Sequence, residues 1–157
     1  MLKSWYTTPS LATHIPNISL SKNIPVGVEA SILLHFVVEN GLRAYEAEDP
    51  DLTEALRRIT TVQATAEEYL ETCEADAFDV VYFDPMFRYP VQGSSAMEHL
   101  HHLAYEHPLN QRTIELALKA APKIVIKERS EKILHEYGCT EILGGRYSRI
   151  KFGIIRR

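Results

Sequence analysis

Asp84 is the residue of this chain best placed to do chemistry. It follows Val80-Val81-Tyr82-Phe83, a β-branched and aromatic run typical of a strand buried on both faces. Pro85 ends the run, and Phe87 and Tyr89 add aromatic rings close to the carboxylate. Ligands of open α/β sheets bind at the carboxyl ends of strands, so the pattern predicts that Asp84 faces a binding site.

A buried strand that simply ends in an Asp-Pro turn, with no chemical role, is the alternative interpretation.

Metal chemistry is not indicated by the remaining candidate residues. Four histidines lie within nine positions: His99, His101, His102 and His107. No acid or cysteine completes an obvious ligand set and His-Glu-x-x-His is absent, so an exposed polar face or contacts to RNA are the favoured interpretation. Cys73 and Cys139 lack metal-ligand spacing and indicate reduced thiols.

Alternating strands and helices surround Asp84 in the chain. Before it, an apolar strand ends at Glu29, and a helix runs from an N-cap at Ser31 to Asn40-Gly41, with broad apolar faces that should pack against a sheet. A helix through Leu52 to Ile59 follows, and then a β-branched strand over 59–65 leads into a helix that starts with a capping-box pattern of Thr65 and Glu68.

After Asp84 come helices, a strand over 123–127 and a short helix capped by Ser130. Two strands over 139–143 and 148–155 follow, the last with the alternation of an edge strand. This order predicts a three-layer α/β domain, mostly parallel, with a C-terminal antiparallel hairpin.

Composition and charge limit the classes of function. With 157 residues, 45% apolar and 24% charged, the chain is expected to form one soluble domain. The net charge is -4, but residues 1–84 hold 5 basic and 14 acidic side chains, whereas residues 85–157 hold 12 and 7. A basic group near the C-terminus could meet phosphates or could be ordinary solvated surface: Arg146, Arg149, Lys151, Arg156 and Arg157. No membrane span or signal peptide is seen, and a cytoplasmic location is expected.

Asp84-Pro85-Met86-Phe87 resembles the Asp/Asn-Pro-Pro-Tyr/Phe motif of S-adenosylmethionine-dependent methyltransferases that modify exocyclic amines of bases. Met86 in third place, followed by Arg88-Tyr89-Pro90, is similar to the Asp-Pro-Met-Tyr-Pro of bacterial small-subunit rRNA guanine-N2 methyltransferases. The resemblance implies a class I, Rossmann-like fold over residues 24–157, S-adenosylmethionine as cofactor and small-subunit rRNA as partner.

The resemblance also implies roles for particular residues. An amine attached to the ring of a base is a poor nucleophile because its lone pair is delocalised into the ring. Asp84 and the carbonyl of Pro85 would accept its two hydrogens, draw the nitrogen towards tetrahedral geometry and align it for attack. Phe87 would stack on a base that is unpaired or swung out, with Met86, Arg88 and Tyr89 also contacting substrate.

The residues bordering S-adenosylmethionine would be Glu29, Ala30, Ala64, Thr65 and Asp84. Glu29 would accept hydrogen bonds from the ribose hydroxyls; the alternative is a glutamate favoured at a helix start by the helix dipole. Ala64 and Thr65 would flank the adenine.

The N-terminus departs from the pattern of the family. Class I methyltransferases open with a strand that runs into a glycine-rich turn. Residues 1–23 have no period, are rich in turn residues and contain no glycine. An irregular N-terminal segment is therefore expected, with the first strand missing or altered. The chain would then be a fragment, a mis-started or frameshifted reading, or a protein without cofactor binding.

Two further functions stay open at this point. One is a catalytically inactive methyltransferase-like α/β module that binds protein or RNA and pairs with itself, as a homodimer, or with another protein. The other is a methyltransferase that acts on a small molecule or a protein.

Overall fold

A seven-stranded mixed sheet forms the centre of the molecule. The computed structural model describes residues 4–7, 25–85 and 109–157. The strands are β1 (Ser4–Thr7), β2 (Val26–Glu29), β3 (Thr60–Gln63), β4 (Val80–Phe83), β5 (Lys123–Glu128), β6 (Glu141–Leu143) and β7 (Lys151–Arg156). Their order across the sheet is β3-β2-β1-β4-β5-β7-β6. The first five strands in this order run parallel, and β7 is antiparallel to both β5 and β6. The predicted C-terminal hairpin is therefore present.

Five helices lie among the described residues: α1 (Ile32–Ala44), α2 (Pro50–Arg57), α3 (Ala66–Thr72), α4 (Gln111–Ala120) and α5 (Glu131–Glu136). Helix α1 contacts β2 and β3, α3 contacts α4, and α5 contacts β5 and β7. Parallel strands are joined by right-handed crossovers, which place α1 on one face of the sheet and α3 with α4 on the other. The predicted α/β, Rossmann-like fold is confirmed.

Strand β1 corrects the prediction for the N-terminal segment. Ser4–Thr7 forms the middle strand of the sheet, pairing in parallel with β2 on one side and with β4 on the other. Residues 1–23 were expected to be irregular and the first strand to be missing or altered. A four-residue strand at the centre of a sheet is held by backbone hydrogen bonds to two neighbours, so it needs no periodic pattern long enough to be recognised in the sequence.

The buried core lies beneath the centre of the sheet. Its largest fully buried side chains come from two neighbouring strands and two helices: Val81, Phe83, Ile124, Ile126, Leu70 and Leu134. The β4–β5 register pairs Val81 with Ile124 and Phe83 with Ile126, so the four strand residues pack as two adjacent pairs. The strand predicted before Asp84 is therefore real and central.

Two element boundaries differ from the sequence predictions. Helix α1 does not end at Gly41 but continues to Ala44, where Arg57 donates to the carbonyls of Leu42 and Tyr45. The carbonyls at the end of α1 are thus hydrogen-bonded by Arg57 of α2, a partner that the sequence around Gly41 does not reveal. Strand β7 is not an edge strand, because it lies between β5 and β6; β6 occupies the edge.

Helix α1 is apolar on nearly all sides, and the sequence predicted that it packs against the sheet. Its Leu34 is buried. Four of its apolar side chains are nevertheless exposed: Ile32, Leu33, Phe36 and Val37. Within the described ranges, no helix is long and apolar enough to cross a bilayer.

Candidate functional site

The candidate site lies at the carboxyl edge of the parallel strands. Val28 and Phe83 both pair with Thr7 of β1, and Phe83 also pairs with Ile126. The residues that follow Val28, Phe83 and Ile126 therefore lie in one row across the sheet. They are Glu29 on β2, Asp84 after β4 and Lys127 on β5. Strands in a sheet are about 4.8 Å apart, so Glu29 and Asp84 are separated by two strand spacings, about 10 Å. The register brings together two carboxylates and an ammonium that are far apart in sequence.

Asp84 is buried and forms an ion pair with Lys127. Lys127 Nζ donates to Asp84 Oδ2 at 2.9 Å, and the two side chains are only 12% and 9% exposed. Lys127 was not among the residues predicted for the site. In the sequence, Lys127 directly follows the apolar run of β5. This position points to Asp84 only once β4 and β5 are known to be neighbours.

The ion pair determines what Asp84 can do chemically. An ammonium at this distance favours the ionised form of the carboxylate, and an ionised carboxylate is an acceptor only. The oxygens of such a carboxylate can accept the hydrogen of an amine. Asp84 is therefore suited to orienting an amine and stabilising positive charge on it, more than to removing a proton.

Glu29 occupies the predicted position at the end of β2. Its Oε1 accepts a hydrogen bond from the backbone N–H of Ser31 at 2.8 Å, immediately before α1. Burial raises the pKa of the Glu29 carboxyl, and hydrogen bonds from the backbone of Ser31 and Ala30 partly oppose this. Glu29 therefore ends β2 and also accepts a hydrogen bond at the start of α1.

Ala64 and Thr65 follow β3 at the same edge. The N–H of Ala64 donates to the carbonyl of Glu29 at 3.2 Å, which joins the ends of β2 and β3. Thr65 is the N-cap of α3 in a complete capping box with Glu68, as predicted. Its N–H and hydroxyl both donate to Glu68 Oε2, at 2.9 and 2.8 Å, so a flat ring at this point would meet Thr65 mainly through van der Waals contact.

Several predicted site residues lie outside the described residues. These are Met86, Phe87, Arg88 and Tyr89, together with the group of four histidines. Pro85 is the last described residue of the motif, and it is partly buried. In residues 25–85 and 109–157 no group of three potential metal ligands occurs.

A surface depression of about 250 Å³ lies elsewhere, where β3 begins. Its walls include Arg57, Ile59 and Thr60. Because Thr60 is the first residue of β3, this depression is at the opposite edge of the sheet from Asp84.

A curated protein of similar sequence is known. The chain is 30% identical over 132 residues to YpiP, an uncharacterized protein of Bacillus subtilis; the match covers 83% of this chain and 51% of the relative. The chain thus spans about half the length of this curated relative. No family model matches the chain.

Three solved structures share the architecture. A SAM-dependent methyltransferase from Neisseria gonorrhoeae matches with a TM-score of 0.56 and 17% identity, covering 98% of this chain and 61% of that one. TrmN from Thermus thermophilus matches with a TM-score of 0.58 and 11% identity, covering 99% of this chain and 44% of that one. TrmK from M. capricolum, solved with S-adenosyl-homocysteine, matches with a TM-score of 0.54 and 11% identity, covering 99% of this chain and 62% of that one. The chain has the Rossmann-like fold of SAM-dependent methyltransferases.

Proposed function

We propose that this chain belongs to an S-adenosylmethionine-dependent methyltransferase acting on an exocyclic amine of a base, guanine in small-subunit rRNA. The observation that carries the proposal is the placement of Glu29 and Asp84 in one row at the carboxyl edge, on either side of β1. That edge is where ligands of open α/β sheets bind. Glu29 would contact the cofactor and Asp84 would contact the substrate.

S-adenosylmethionine is the proposed cofactor, because the fold is that of enzymes that use it. Glu29 would bind its ribose hydroxyls beside Ala30, and Ala64 with Thr65 would border its adenine. When bound, the cofactor supplies an electrophilic methyl group. The half-buried Glu29 carboxylate is well suited to this role, since hydrogen bonds to hydroxyls are stronger where water is partly excluded.

Asp84 and the carbonyl of Pro85 would hold the amine of the base. Asp84, paired with Lys127 at 2.9 Å, would accept an amine hydrogen and stabilise the positive charge that develops on nitrogen as the methyl group is transferred. Phe87 would stack on the base, with Met86, Arg88 and Tyr89 contacting the substrate around it. Lys127 acts through Asp84 and is a positioning residue.

One observation favours a second candidate, a catalytically inactive α/β module. The Asp84 side chain is only 9% exposed, and its ion pair with Lys127 has the form of a purely structural buried pair. In this case the edge would bind no cofactor, and the chain would act by binding RNA or a protein partner.

Calorimetric titration of S-adenosyl-homocysteine separates the two candidates. We expect heat of binding in the wild-type protein and its loss in Glu29→Ala. The matched control is Glu54→Ala, which removes an exposed acid of α2 that pairs with Arg58. Absence of heat up to millimolar ligand would contradict the enzyme and support the module.

Transfer of labelled methyl groups to small-subunit rRNA tests the substrate. Asp84→Ala/Lys127→Ala removes both charges together, so that neither is left buried alone. We expect transfer to fall about 100-fold or more, a larger change than that in the affinity for S-adenosyl-homocysteine, which Asp84 would also border. Label in bulk protein and not in rRNA would show that the substrate class is wrong.

A further inference from the structure

The turn between β6 and β7 lies at the same edge of the sheet as Asp84. Strand β7 begins at Lys151, which pairs with Glu128 at the carboxyl end of β5. Because β7 runs antiparallel to β5, the residues just before Lys151 project from the carboxyl edge. Strand β7 lies two strands, about 10 Å, from β4 across the sheet, and the turn projects beyond its first residue on the side away from Glu29.

This turn is ordered by its own hydrogen bonds. The N–H of Ser148 donates to the carbonyl of Gly145 at 3.0 Å, closing a β-turn with Arg146 and Tyr147 at its tip. The Ser148 hydroxyl donates to the carbonyl of Ile150 at 2.8 Å. Lys151 forms an ion pair at 3.3 Å with Glu131 of α5, which fixes the base of the turn. The two tip residues are therefore presented from a fixed backbone.

The tip combines an exposed ring with positive charge. Tyr147 is 91% exposed, the highest value among the exposed large apolar side chains of the described residues. The guanidinium carbon of Arg146 lies 5.9 Å from the centre of its ring, within cation–π range. Arg149 is also exposed, and in residues 25–85 and 109–157 neither arginine forms an ion pair.

The other arginines at the C-terminus are arranged differently. Arg156 pairs with Glu141 at 3.5 Å, and Arg157 pairs with Asp76. Arg156 faces Lys123 in the register, and Lys123 is the first residue of β5, so both arginines lie at the opposite edge of the sheet. The sequence placed all five basic residues in one group, and the structure divides that group between two edges.

We propose that the turn Gly145–Ser148 is a nucleotide-binding element for single-stranded RNA. An unpaired base stacks on Tyr147, while Arg146 and Arg149 contact the neighbouring phosphates. Base stacking on an exposed aromatic residue beside cationic side chains is the general mode of single-strand binding. The inference rests on the proposed RNA substrate and assigns this turn to the nucleotides flanking the target base.

A phosphate-bearing, base-bearing ligand fits this turn better than an acidic protein does. Arginines alone could bind any polyanion, whereas the exposed ring of Tyr147 offers a face on which a base can stack. The turn lies at the edge of the sheet that holds Lys127 and Asp84, so such a ligand would reach the proposed reacting edge.

Fluorescence anisotropy with an unstructured labelled RNA of about 12 nucleotides tests the inference. Tyr147→Ala should weaken binding about five- to 150-fold, the range for loss of one stacked base. Tyr147→Phe keeps the ring and should remain within about twofold of wild type. Arg146→Gln/Arg149→Gln should reduce the slope of log affinity against log salt by about 1.4, that is, about 0.7 for each phosphate contact. Arg156→Gln, at the opposite edge, is the matched control and should change neither quantity.

Three outcomes would overturn the inference: no binding of RNA by the wild-type protein, equal affinity of Tyr147→Ala and wild type, or an Arg156→Gln effect as large as that of the turn variants. Heparin, a polyanion without bases, is the second probe. Heparin binding should respond to the arginine variants and not to Tyr147→Ala. The calorimetric test of S-adenosyl-homocysteine is independent of all these measurements, so failure of the proposed enzyme activity and failure of this inference can be told apart.

Discussion

Replacing Lys127 by methionine should destabilise the protein strongly. Lys127 and Asp84 are 12% and 9% exposed and 2.9 Å apart. Methionine keeps most of the length of the lysine side chain but leaves the buried carboxylate without its ammonium partner. Loss of one partner from a buried ion pair costs about 3–5 kcal/mol.

The size of the effect can be checked in two ways. For a chain of this length, 1 kcal/mol corresponds to about 2–4 °C in Tm, so Lys127→Met should melt about 6–20 °C below wild type. In urea, the midpoint should fall without a change in slope. The double variant Asp84→Leu/Lys127→Met, which removes both charges, should recover most of the loss, since apolar replacement of a buried pair is often neutral or better.

A Lys127→Met protein within about 0.5 kcal/mol of wild type would refute the reasoning.

Two further predictions concern Glu29 and Gly153. Burial raises the pKa of Glu29 above its ordinary 4.5, so this group contributes stability at low pH that is lost as pH rises through its folded pKa. Glu29→Gln should flatten this pH dependence of the unfolding free energy in urea titrations and should be the more stable protein at pH 7. Parallel pH profiles for the two proteins would contradict this prediction. At Gly153 an added Cβ would overlap Cys139 Sγ and lie 2.7 Å from Leu134 Cδ2, so Gly153→Ala should cost about 1–3 kcal/mol and lower Tm by about 2–12 °C. Gly27→Ala, whose Cβ meets nothing closer than 4.0 Å, is the matched control, and equal melting of the two variants would show that the overlap is relieved at no cost.

Local features of the fold were predictable from the sequence. The N-caps Ser31 and Ser130 and the capping box of Thr65 and Glu68 were all confirmed. These contacts join residues at most three apart, so residue type and spacing are enough to predict them. The strand ending at Asp84 was predictable for a similar reason, since an apolar run closed by Asp-Pro is a local signal.

Predictions failed where a distant element decided the outcome. Strand β1 exists because two other strands pair with it, and α1 runs beyond Gly41 because Arg57 caps its last carbonyls. Strand β7 is interior because β6 pairs with its far side. These partners are too far away in the sequence for a local pattern to reveal them.

The sequence by itself determined that an acid stands at the end of a buried strand, next to a proline, in an alternating α/β chain. Only the tertiary structure decided that this acid is buried against Lys127, 43 positions away, in one row with Glu29, and that Tyr147 projects from the same edge. The physical reason is strand order: neighbours in a sheet are set by crossovers and register, and these depend on the packing of the whole chain.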